Sequence, residues 1–225
     1  MIAATSNILI GLHKADRLLR PRPVRVPRLH VVLLIVLVAG LCDGAVMGSY
    51  GGVFRSYGLQ PLYSALKVPL LLLGTFALTV PSFYVLNTLM GLRTDFGVAL
   101  RSLVAAQAVL ALVLASLTPY VALMYVSGVS YPAAILFNGV TFGIASVAAQ
   151  WPLRRFYRPL IQRDPRHRLM LRAWLVIYIF VGIQMGWMLR PFIGAPGKPA
   201  RFFREDTWGN AYIVLWELFR SATGW

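Results

Sequence analysis

Residues 30–50 read HVVLLIVLVAGLCDGAVMGSY, a nearly unbroken apolar run with one formally charged side chain, Asp43. A helix needs about 20 predominantly apolar residues to cross roughly 30 Å of hydrocarbon, so this run reads as a membrane span. Four further windows meet the same requirement, at 68–90, 98–120, 131–151 and 170–190. Of the 225 residues, 58% are hydrophobic and 13% charged. With a mean hydropathy of +0.68, the composition is far from that of a soluble domain. The expected fold is all-α, a polytopic transmembrane helical bundle of about five spans. Residues 1–29 form a basic cytoplasmic segment in this reading, 30–190 the five-span domain and 191–225 a tail.

The net charge of +15 is carried between the apolar runs, where basic residues meet lipid headgroups and set topology. Lys and Arg number six in 1–30, two in 91–101 and seven in 152–172, against two in 51–67, none in 121–130 and five from 190 onward. The fifteen on one side outweigh the seven on the other. The positive-inside rule then places the N-terminus in the cytoplasm and the C-terminus outside. The basic first 30 residues and the AGL before Cys42 do not fit a cleaved leader, so the first apolar run is read as retained.

Both ends carry an amphipathic pattern. Over 8–20, Ile8, Leu12, Ala15 and Leu19 recur at helical spacing, while His13, Lys14, Arg17 and Arg20 fall largely elsewhere. That suits a helix lying on an anionic leaflet. RPRPVRVPR follows as an extended proline-rich tether. Over 207–222, Trp208, Tyr212, Leu215, Trp216 and Phe219 form one stripe. Trp208, Tyr212 and Trp216 are of the type that gathers at membrane interfaces.

Within the first run Gly40, Gly44 and Gly48 lie on one strip of a helix, to which Gly51 nearly returns. Small residues let helices approach closely where lipid offers no hydrophobic drive. Gly139 and Gly143 suggest the same for the fourth span, Gly182 and Gly186 for the fifth, and Ala105, Ala106, Ala108, Ala111 and Ala115 for the third. Internal packing is favoured over homodimerisation, although the neighbour can belong to this chain or to another. Asp43 flanks the strip. A charged Asp at mid-bilayer costs roughly 2.5–3.5 kcal/mol, so it requires a dry hydrogen bond, a wet cavity or a cation, for which Lys67 and Arg101 are the nearest candidates by position. Asn87, Gln107, Asn138, Gln150 and Gln184 complete the intramembrane polar set. A structural interhelical network is favoured over an ion path, because Asp43 has no titratable companion.

The second span contains Pro69 and Pro81. Pro81 frees the carbonyl of Ala77, for which Thr79, Ser82 or a neighbouring amide could serve. Catalytic equipment is sparse. His13, His30 and His167 lie outside spans or at their borders, and no zincin, phosphate-loop, nucleophile-elbow or paired-carboxylate pattern occurs. No cofactor and no metal site is expected. Arg154, Arg155 and Arg158, in QWPLRRFYRPLIQRDPRHR, fit lipid headgroups or topology better than nucleic acid.

A basic N-terminus, five close-packed spans, short connections and an outside C-terminus resemble the layout of Yip1-type membrane proteins and their bacterial relatives. The stretch KVPLLLLGTFALTVPSFYVLNTLMGLRTDFGVALRSLVAAQ is similar to a span, short basic loop and following span of that group, and covers less than a third of the chain. YIFVGIQMGWMLRPFIGAPG looks like the last span of small bacterial membrane proteins. The resemblance implies a non-enzymatic scaffold or assembly factor and supplies no catalytic residues. The expected function is thus a non-catalytic subunit of a membrane complex in a bacterial inner membrane, whose partners are lipids and other membrane chains or itself. The alternative is a small transporter or channel subunit using Asp43 and the Pro81-kinked second span. A lipid enzyme using the three arginines for a headgroup is a remote third.

Overall fold

The computed structural model describes residues 28–50, 59–194 and 199–203. Among them the chain is an all-α bundle of five long helices: α1 Leu29–Gly48, α2 Gln60–Leu89, α3 Phe96–Val126, α4 Tyr131–Arg163 and α5 Arg166–Met188. Each is long and apolar enough to cross a membrane, which is compatible with an integral membrane protein. The amphipathic 8–20 segment, the proline-rich tether and the stripe bearing Trp208, Tyr212 and Trp216 lie outside the described residues.

Three helices outrun their apolar windows. α2 begins at Gln60 rather than 68, α3 continues to Val126, and α4 continues from 151 to Arg163. For α4 the apolar window ends where charges begin, yet a helix satisfies its own backbone in water or headgroups as well as in lipid. Proline stands in the first turn of α2 and of α4, where its missing N–H costs nothing. α2 runs through both Pro69 and Pro81 as one helix. The Thr79 hydroxyl donates to the carbonyls of Thr75 (3.0 Å) and Phe76 (2.9 Å), so it serves the turn before Pro81 rather than the Ala77 carbonyl.

The turns are short and chemically explicit. After α2, Gly91 adopts φ +72°, and the amides of Gly91 and Leu92 donate to the carbonyls of Thr88 and Asn87. This is the Schellman pattern that a left-handed glycine permits. A 3-10 turn, Arg93–Asp95, then leads into α3. Between α4 and α5, Asp164 accepts from the Arg166 backbone amide (2.9 Å) and from its guanidinium (2.7 Å). Those bonds hold the Asp164 carboxyl below its ordinary range.

α1 is the hub, packed against α2 on one side and α3 on the other. α3 in turn carries α4, and α2 carries α5. α4 and α5 share a tight turn but touch little, so the helices diverge from that turn. One apolar core joins Val32, Val36, Val68, Leu72, Ala111, Leu114 and Ala145 around α1. A second joins Phe83, Leu103, Tyr157, Met170 and Trp174 towards the α2–α3 and α4–α5 turns. That end, where α1 also begins, is the basic end.

Candidate functional site

The glycine strip of α1 faces α2 of the same chain. A Cβ on Gly40 would lie 3.0 Å from Pro69 Cγ, one on Gly48 would lie 2.7 Å from the Gln60 carbonyl oxygen, and one on Gly44 would collide with the backbone of Ser64 and Ala65. Backbone sits against backbone here, which only glycine allows. Gly182 is in ordinary contact with α2, its Cβ position 3.5 Å from Thr75 Cγ2. Gly139, Gly143 and Gly186 make no such close contact with another helix of this chain. No described atom of another helix lies within 4 Å of a Cβ on any of the three, and Gly139 and Gly143 border the space between the splayed α4 and α5. Ala105, Ala106, Ala108 and Ala111 are buried in α3.

Asp43 is buried, with 4% exposure, and its Oδ1 accepts a 2.9 Å hydrogen bond from the Thr118 hydroxyl of α3. Its Oδ2 has no partner among the described residues. Neither suggested cation pairs with it. Arg101 is exposed, and Lys67 turns the other way. Beyond Asp43, the Tyr125 hydroxyl donates to the Met47 carbonyl (3.2 Å), and Asn138 Nδ2 donates to the Tyr125 oxygen (2.7 Å). Tyr50 donates to the Val129 carbonyl at 2.9 Å. A polar seam thus ties α1 to α3 and α3 to α4. Gln107 adds an α3–α5 link, accepting from Tyr178 at 3.0 Å. Asn87 and Gln150 instead donate to carbonyls of their own helices, those of Phe83 and Ser146. Gln184 is half-buried on α5.

Two polar clusters escape sequence reasoning. Lys67 is fully buried; its Nζ donates to the Pro191 carbonyl at 2.6 Å and lies 5.0 Å from the Phe202 ring centroid. Gln60 Nε2 donates to the carbonyls of Pro191 (3.1 Å) and Phe192 (3.2 Å), and Ser64 also donates to Phe192. The chain after α5 is therefore latched onto the start of α2. At the basic end Asp95 accepts from Arg163 (2.9 Å) and lies 3.2 Å from His167 Nε2. This joins the α2–α3 turn to the α4–α5 turn. The only sequence signal for either cluster is a polar residue beside an apolar run.

Arg154, Arg155 and Arg158 are exposed on the prolonged end of α4. The carboxylates closest to them in the fold, Asp95 and Asp164, are engaged by Arg163, His167 and Arg166. Trp151, one turn before them, is 80% exposed. Among the described residues no group of three His, Cys, Asp or Glu side chains could hold a metal.

The splayed helices enclose two cavities. One, of about 370 Å³, lies at the end opposite the basic one and is lined by Tyr131, Asn138, Gly139, Phe142 and Arg190–Ile193. The other, of about 460 Å³, continues towards the basic end between Gly143 and Val147 of α4 and Ile179 and Gly182 of α5, over Leu72 and Thr75 of α2. Leu71 and Phe142 line both. The chain matches no family model, no curated protein and no solved structure.

Proposed function

We propose that this protein is a non-catalytic integral membrane protein of a bacterial inner membrane, working as a scaffold, assembly factor or subunit of a membrane complex. In this reading the basic end is cytoplasmic and the end of α5 faces outside. The observation that carries it is the uneven cover of the spans. More than half of the apolar window of α3 is buried (56%), against 28% for α4 and 17% for α5. The glycines of α1 are spent inside the chain, and the least covered spans are α4 and α5, which expose Leu136, Val140, Ile144, Ile179 and Phe180. The Yip1-type resemblance supports the same role. A photoreactive residue at 144 or 180, introduced into the full chain in its host, is expected to give discrete crosslinks to other protein chains. Crosslinks to lipid alone at both positions would contradict the reading.

A second reading, a small transporter or channel subunit, is favoured by one observation, the Oδ2 of buried Asp43, which has no partner among the described residues. Proteoliposomes of the purified chain would then carry a flux that Asp43→Asn abolishes. Equal flux in both forms would exclude Asp43 from it.

A further inference from the structure

We propose that the cleft between α4 and α5 binds an anionic phospholipid, its phosphate at Arg190 and one acyl chain laid along Gly139 and Gly143. The contrast with α1 is the starting point. There a Cβ on glycine would strike a neighbouring backbone, whereas on α4 it would enter open space, so these glycines clear a channel instead of a helix contact. The two cavities adjoin, with Leu71 and Phe142 in the walls of both. Volumes of about 370 and 460 Å³ fall in the range of roughly 300–1,000 Å³ usual for ligand sites.

The placement of charge suits an anionic amphiphile. Arg190, at the outer end beside Asn138 and Tyr131, is the one charged residue among the described residues that line either cavity, and both walls are mainly apolar, with Leu72, Leu110, Val147, Leu175 and Ile179 inward beside the polar Thr75, Ser146, Gln150 and Tyr178. Arg190 follows α5 by two residues, just beyond the end of that apolar helix. Its guanidinium stacks on Trp187, 3.2 Å from the ring centroid, which fixes the plane of a fork suited to phosphate. With five donors the guanidinium can serve a phosphate beside its contacts within the protein. From Tyr131 to Gln150, α4 rises roughly 28 Å at 1.5 Å per residue, enough length for an acyl chain to lie wholly within the cleft.

The test uses the full-length chain, delipidated in detergent and then reconstituted with equal amounts of dioleoyl phosphatidylglycerol and dioleoyl phosphatidylcholine. After re-extraction, retained lipid is counted by native mass spectrometry. The wild type is expected to keep one phosphatidylglycerol per chain, preferred about tenfold over phosphatidylcholine, roughly the effect of one charge-assisted contact. Arg190→Gln should keep a lipid but lose the preference. Gly143→Leu, which grows into space that no described atom occupies, should lose the lipid while keeping helicity and monodispersity. Retention of no lipid by the wild type, or of both lipids equally, overturns the proposal even if a variant fails to fold. Unchanged retention in a folded Gly143→Leu overturns the cleft as the site. Lipid retention is read on the isolated chain, so its failure is distinct from the absence of partner proteins.

Discussion

At the scale of single residues, glycine and lysine answer different constraints. Gly44 lies where the backbones of α1 and α2 meet, and a side chain there has nowhere to go. Gly44→Leu is expected to destabilise the bundle by about 1–3 kcal/mol, as overpacking commonly does. Gly143→Leu should be close to neutral. Thermal unfolding in one detergent distinguishes the two, and equal losses would contradict the assignment of their faces. Lys67 places a cation among backbone carbonyls, and hydrogen bonds to charged groups contribute about 1.5–3 kcal/mol. Lys67→Met is therefore expected to release the 191–193 segment, seen as faster amide exchange at Phe192 and Ile193 with α3 unaffected. The two residue types differ in how far the sequence discloses them. The spacing of Gly40, Gly44 and Gly48 announces a contact face, but the same spacing in Gly139 and Gly143 faces a void. Spacing specifies a helix face and leaves its neighbour open. Lys67 was harder still, because its partners lie more than 120 residues along the chain.

At the scale of helices and turns, the apolar windows locate all five long helices, and side-chain chemistry decides where their ends lie. Charge ends a hydrophobic window without ending a helix. α4 therefore continues through Arg154, Arg155 and Arg158 to a turn built on Asp164. That turn has a definite pH response. Arg166 lowers the folded carboxyl below the ordinary value of 3.8, so the contribution of Asp164 is full above that value and is lost as pH falls through the folded one. Amide exchange at Arg166, corrected for intrinsic chemistry, should be constant from neutral pH to about 4 and faster in stronger acid. Asp164→Asn should remove this step, and a step that persists in the variant would assign it to another group.

At the scale of the whole molecule, the bundle is asymmetric in cover and charge. α3 is covered over more than half of its apolar window, whereas α4 and α5 lean outward from a basic end. In the function proposed above, the two least covered helices are the ones that hold other membrane chains. The central claim is association, and native mass spectrometry tests it most directly, on tagged protein expressed at its native level and extracted from its own host in mild detergent. The expected result is a stoichiometric complex with other membrane chains. A monomer free of protein partners, stable across several mild detergents, would contradict it.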